Sequence, residues 1–170
     1  ENPATRLEFR SELMVETPQS ILGFDGTMPL RSFVEAMKGR CRGAHFGTYD
    51  YTAGCSITAT YQTMDNPVCD FAKHVLQVSL AGTPVMISDG ATNVMPVGDE
   101  ANVHRAWRLS YKHIRHSLRA GYYQGWDLHP AQLPIRYAAM YAFFLESYEQ
   151  MAARLSGFIE RAAKATLLGD

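Results

Sequence analysis

Apolar and polar positions follow two rhythms along this chain: short apolar runs bounded by Gly, Pro or acidic residues, and longer stretches with apolar residues three or four positions apart. The first short run, Glu12 to Thr17, stops at Pro18, which drives its neighbour into extended geometry, so a strand ending at Glu16 is expected. Ser32 to Lys38 has helical spacing and a stop at Gly39. Gly43 to Asp50 reads as a second strand whose glycines would let backbone or ligand approach closely. The Thr- and Gly-rich stretch from Tyr51 to Asn66 lacks helical period and reads as a functional loop. Asn66-Pro67 opens a helix in which Val68, Phe71, Val75, Leu76 and Leu80 share a face. Thr83 to Asp89 is expected as a third strand, and Gly90 to Gly98 as a loop. A helix from Glu100 to Arg119 follows, with a stripe of Val103, Trp107, Tyr111, Ile114 and Leu118. Gly121 stops it, Tyr123 to Leu128 is expected as a fourth strand, and from Pro134 the apolar positions describe one or two long helices.

Four alternations of strand and helix predict an α/β fold with parallel strands joined by crossover helices. A complete (β/α)8 barrel takes about 250 residues, so four βα units with a long C-terminal helical segment correspond to the C-terminal half of a TIM barrel; a small doubly wound sheet is the alternative. The 170 residues, 46% hydrophobic and 19% charged, are enough for a single domain over 1–170. The chain starts without Met, beside a segment that leads into a strand, so it is expected to be part of a longer barrel chain. A half barrel would leave sheet edges for another chain segment to cover.

A net charge of -1 with no block of like charges offers no field for nucleic acid. Cys41, Cys55 and Cys69 form no C-x-x-C pair, and their odd number fits reduced thiols of a cytoplasmic protein. No apolar run reaches the roughly 18 residues of a membrane span, and Glu1 to Arg6 lacks the apolar segment of a signal peptide, so no membrane partner is expected. Phosphate-loop, dinucleotide and serine-hydrolase signatures are missing from the sequence. The aromatic density of the last helices fits a homo-oligomer interface.

Glu16 and Asp50 end successive expected strands, which brings two carboxylates to one rim and suits a hard divalent cation, Mg²⁺ or Mn²⁺. Capping a helix or pairing with an arginine would account for each acid equally well. Asp89-Gly90 reads as an ordinary turn after the third strand. His129 and Gln132 follow the fourth strand in a turn fixed by Pro130, where capping competes with a site role. His104, His113 and His116 share one expected helix and read as a solvated face.

Three segments, Val15-Glu16-Thr17-Pro18, Phe46-Gly47-Thr48-Tyr49-Asp50 and Gly125-Trp126-Asp127-Leu128-His129-Pro130-Ala131-Gln132, occur in an order and spacing that resembles the HpcH/HpaI aldolase and citrate lyase family, its citrate-lyase-like branch in particular. Gly121 to Tyr141 resembles an uncharacterised aldolase-like subgroup of that family. The resemblance covers essentially the whole chain. It implies a TIM-barrel lyase that makes or breaks a C–C bond next to a carboxylate, acting on a 2-oxo acid such as pyruvate or oxaloacetate. Glu16 and Asp50 would be the metal ligands, with Gly47, Thr48 and Tyr49 lining the substrate pocket. Asp89, His129 and Gln132 would shape the loops around it. The substrate-holding arginine of that family has no counterpart here and is expected upstream; Arg6 and Arg10 precede the first strand, at the opposite rim. A phosphoenolpyruvate phosphotransfer enzyme, or a non-catalytic barrel half acting through assembly, are the alternative readings.

Overall fold

Leu13 and Val15 on one strand, Ala44 and Phe46 on the next and Ile87 on a third form a shared apolar face, and that face organises the chain. The computed structural model describes residues 9–167. In it β1 (Ser11–Val15), β2 (Cys41–Phe46) and β3 (Met86–Ser88) make one parallel sheet in the order β1-β2-β3. The register aligns Leu13 with Ala44 and Ile87, and Met14 with His45 and Ser88. Side chains alternate across a strand, so the row at Leu13 packs into the helices while the row at Met14 points away from them.

Two short helices, α1 (Pro18–Ile21) and α2 (Leu30–Ala36), link β1 to β2, and α3 (Thr48–Gly54) and α4 (Pro67–Leu80) link β2 to β3. Asn66 caps α4 by accepting the Val68 N–H at 3.0 Å, and Pro67 takes the first helical position, where a missing N–H costs nothing. Ala72, Leu76 and Leu80 are buried from α4 against Val15, Ala44 and Phe46. Full burial of a leucine contributes about 1.5–3 kcal/mol, which makes this stripe the main stabilising contact of the sheet. After β3 come α5 (Glu100–Arg119), α6 (Leu133–Leu145) and α7 (Tyr148–Leu167). Asp99 caps α5 through the Asn102 N–H at 2.8 Å. A smaller core joins Ile114 and Leu118 of α5 to Ala139 of α6. Among the described residues no helix is long and apolar enough to cross a membrane.

Several expectations change. The strand expected over 43–50 stops at Phe46, and Thr48–Gly54 is helical although Thr and Tyr favour strands. Gly47 ends the β-ladder, its carbonyl accepts the Tyr51 N–H, and the Thr52 hydroxyl donates to the Thr48 carbonyl at 2.7 Å. The expected loop after Asp50 therefore begins as helix. The sheet has three strands where four were expected: the 123–128 segment touches β3 only at a bridge between Asp89 and Gly125. β3 is three residues long and the two segments meet only as they leave it, so their ladder is limited to Asp89 N–H to Gln124 O and Trp126 N–H to Gly90 O. The solvated histidine face expected for His104, His113 and His116 holds only at His104, which is exposed. His113 is 2% exposed and shares a hydrogen bond of 2.9 Å with Thr92 of the loop after β3, while His116 meets Asp70 of α4 at 2.7 Å.

Candidate functional site

The carboxyl ends of the three strands, with the chain around Trp126 and Leu128, enclose a cavity of about 190 Å³. Its walls include Glu16, Gly47, Thr48, Tyr49 and Asp50, so all five residues expected at the metal and substrate positions share one pocket. Gly90 and Ala91, just past β3, and Met14 and Phe46 complete it.

Two glycines make this convergence possible. A Cβ on Gly47 would lie 2.6 Å from the Glu16 Cβ and 2.9 Å from its Oε2, so only glycine lets the Glu16 side chain lie across the end of β2. A Cβ on Gly90 would lie 2.9 Å from the Phe46 carbonyl oxygen and 3.1 Å from the Thr48 hydroxyl. Tyr49 ties the third wall in place: its hydroxyl donates to the Ala91 carbonyl at 2.9 Å and accepts the Asn93 N–H at 2.8 Å. Burial pushes that hydroxyl's pKa up, so it stays a neutral donor.

Glu16 leaves β1 half-buried, and Asp50 sits exposed in the first turn of α3 rather than at a strand end. Within the described residues no hydrogen bond or ion pair engages either carboxylate, so neither acts as a helix cap or an arginine partner. The Thr48 hydroxyl, 1% exposed as a residue, likewise has no partner. Buried polar groups are normally satisfied, so an orphan hydroxyl on a pocket wall is a place for a ligand oxygen. No group of three or more His, Cys, Asp or Glu side chains is gathered for a metal among the described residues. A cation here would rest on Glu16 and Asp50 and fill its remaining positions with water and ligand oxygens, the habit of Mg²⁺. Arg10 lies just ahead of β1, away from the pocket, and Arg6 lies outside the described residues.

Asp89 corrects the reading of Asp89-Gly90 as a simple turn. It is 1% exposed, meets the buried Lys73 ammonium at 3.0 Å, and accepts from the Ser117 hydroxyl at 2.6 Å and from the Gly90 N–H at 2.8 Å. This buried pair anchors the Gly90 rim of the pocket. Lys73 escaped sequence reading, yet it falls on the α4 stripe beside Cys69, Ala72 and Leu76, and a charge on an apolar face calls for a buried partner.

Gln132, 1% exposed, accepts the Leu128 and His129 N–H groups at 2.7 and 3.2 Å and donates to the Thr92 carbonyl at 2.8 Å. His129 caps the same turn by accepting the Ala131 N–H at 3.1 Å. Both residues therefore hold the segment that supplies Trp126 and Leu128, and neither lines the cavity.

This chain belongs to the family described as Domain of unknown function (DUF6986), which it matches over residues 2–170. Among solved structures it is similar to a citrate lyase from Burkholderia xenovorans LB400, at 17% identity and a TM-score of 0.59 over 96% of this chain and 55% of that one. The likeness is one of fold, and the chain spans about half the length of that structure. No curated protein matches it.

Proposed function

We propose that this DUF6986 chain supplies the C-terminal part of a (β/α)8 barrel and that its strand-end pocket serves a metal-dependent carbon–carbon lyase acting on a 2-oxo acid. The sheet order supports the barrel: β1, β2, β3 and then Gly125 succeed one another without reversal, whereas a doubly wound sheet reverses at a switch point. The likeness to a citrate lyase fold and the three ordered motifs support the lyase.

The observation that carries the reading is the pair of unengaged carboxylates, Glu16 and Asp50, on one small cavity with the unpartnered Thr48 hydroxyl. Glu16 and Asp50 would hold Mg²⁺ or Mn²⁺. Such a cation supplies Lewis-acid polarisation of a carbonyl and charge stabilisation for an enolate. Thr48 donates its hydroxyl to a substrate oxygen, Tyr49 fixes the wall from which Ala91 faces the cavity, and Trp126 and Leu128 exclude water from the reacting carbon. The substrate is a small 2-oxo acid of the pyruvate or oxaloacetate kind.

Calorimetric titration of Mn²⁺ into the full-length protein, and NMR of pyruvate methyl exchange in D₂O, test this. Wild type should bind one Mn²⁺ and exchange the methyl protons, and Glu16→Gln and Asp50→Asn should each lose both while keeping their melting temperature. Unchanged Mn²⁺ affinity in both variants would overturn the site.

A further inference from the structure

The row of side chains beneath the pocket holds a hydrogen-bonded line that the metal site does not use. On the sheet face turned away from the helices, His45 of β2 lies between Glu12 of β1 and Ser88 of β3: Nε2 is 2.9 Å from the Glu12 Oε2 and Nδ1 is 2.6 Å from the Ser88 Oγ. A Cβ on Gly43 would crowd the imidazole at 3.2 Å, so the absence of a side chain there lets the ring lean toward Glu12. Its ring lies 5.1 Å from that of Trp126, tilted by 51°. Trp126 in turn is a wall of the cavity, its backbone anchored by its N–H to the Gly90 carbonyl and by Arg136 on its own carbonyl at 2.7 Å.

We infer that His45 is a positioning residue of the strand-end pocket: gripped by Glu12 and Ser88, it seats the Trp126 wall. The line works in both protonation states. With neutral imidazole, Nε2–H donates to Glu12 and the Ser88 hydroxyl donates to Nδ1. With imidazolium, both nitrogens donate, and the positive ring sits within the roughly 6 Å at which an indole attracts a cation. The grip on the ring therefore holds in either state, and Trp126 rests against it. Ser88, at 2% exposure, is closed off as a nucleophile, so the triad-like order of Ser, His and Glu serves placement instead. The groups that face His45 are Glu12 from β1, the non-titrating Ser88 from β3 and Trp126 from the 122–128 segment. On that segment Asp127 is tied to Arg136, and Cys41 on β2 has its thiol pushed up by burial. Glu12 is thus the charged partner that governs the imidazole.

The test follows the indole N–H resonance of Trp126, assigned by its loss in Trp126→Phe, in ¹H–¹⁵N spectra of the full-length protein. A tilted imidazole with its centroid 5.1 Å away adds a ring-current shift, so His45→Gln should move that resonance. Glu12→Ala, at a half-exposed position, removes the acceptor of Nε2–H and should move it in the same direction. A resonance unmoved in His45→Gln overturns the inference. A companion arm uses Mn²⁺ with oxalate as the probe and rests on the proposed 2-oxo acid reading. Wild type should bind oxalate about two- to tenfold more tightly than His45→Gln, the loss expected of one ring–ring contact. Oxalate that fails to bind wild type counts against the lyase reading and leaves the spectra to decide this one. Oxalate bound equally tightly by wild type and His45→Gln overturns the positioning role alone.

Discussion

Replacing Asp89 by Ala should destabilise the protein by about 3 kcal/mol, because it strands a buried ammonium. The range for breaking a buried pair is about 3–5 kcal/mol, and the surroundings of Lys73 select its lower end. Without Asp89, Lys73 Nζ keeps the Met64 carbonyl at 3.2 Å and Asp70 at 3.3 Å, so its charge is weakened in partnership rather than orphaned. Ser117 keeps its bond to the His113 carbonyl at 3.0 Å, but the Gly90 N–H loses its acceptor. At roughly 2–4 °C per kcal/mol for a chain of this size, the melting midpoint should fall by about 6–12 °C. Urea denaturation of wild type, Asp89→Ala, Lys73→Met and the double variant isolates the pair. The double variant should be closer to wild type than the sum of the singles, since removing both charges leaves neither buried alone. Additive losses, or a loss under about 1 kcal/mol in Asp89→Ala, would show that the pair does not hold Gly90 in place.

Gly47→Ala should push Glu16 off the end of β2, abolishing Mn²⁺ binding at a stability cost of about 1–3 kcal/mol, measurable by calorimetry beside thermal melts. Gln132→Ala removes partners from three backbone groups and should cost about 2–4 kcal/mol in urea melts, with greater protease sensitivity across 123–129; a neutral effect would mean water replaces the amide. Burial holds the His113 pKa below its ordinary value, against the opposing pull of Asp65. The unfolded chain then binds the extra proton first, so stability should be full above about pH 6.5 and decline as pH falls below it, a decline that His113→Gln removes. Asp65 acts further down the scale: burial raises its pKa, but hydrogen bonds from Lys112 and Thr63 and the neighbouring His113 outweigh this and bring it to about 2. Its contribution should persist to about pH 4 and be lost below, and Asp65→Asn should flatten that acid limb of the stability curve.

Residues whose role is set by neighbours in sequence were legible. Asn66-Pro67 marked the start of α4 because a cap and a first-turn proline act locally, and the Glu100 to Arg119 stripe gave α5 with its observed bounds. Glu16 and Asp50 could be placed on one rim because strand ends in a parallel sheet converge, even though Asp50 reaches the rim from a helix turn. What sequence concealed depends on partners far along the chain. Asp89 reads as a turn residue until Lys73, sixteen positions earlier, comes within 3.0 Å. His113 reads as solvated until Thr92 and Asp65, both distant in sequence, close over it. The 123–128 segment has strand composition, but a strand needs a ladder, and β3 ends before that segment can form one.

The two faces of the sheet differ in a way that bears on function. A parallel sheet buried on both sides is apolar throughout, and here one face is: Leu13, Val15, Ala44, Phe46 and Ile87 all enter the helical core. The opposite face runs from Glu12 beside Gly43, through the row of Met14, His45 and Ser88, to Glu16 and the glycines 47 and 90 at the strand ends. Polar groups placed there gain nothing from the core and would cost stability if another apolar layer sealed them dry. Small residues at the strand ends with acids beside them instead leave room for water, a cation or a small anion. Stability is therefore concentrated on the face toward α4 and the candidate site on the other. The prediction that separates the two is direct: Leu76→Ala, in the helical core, should cost about 2–5 kcal/mol and leave Mn²⁺ affinity unchanged below the melting transition. Glu16→Gln should do the reverse. If Leu76→Ala weakened Mn²⁺ binding while still folded, the pocket would depend on core packing, and the division of labour between the faces would fail.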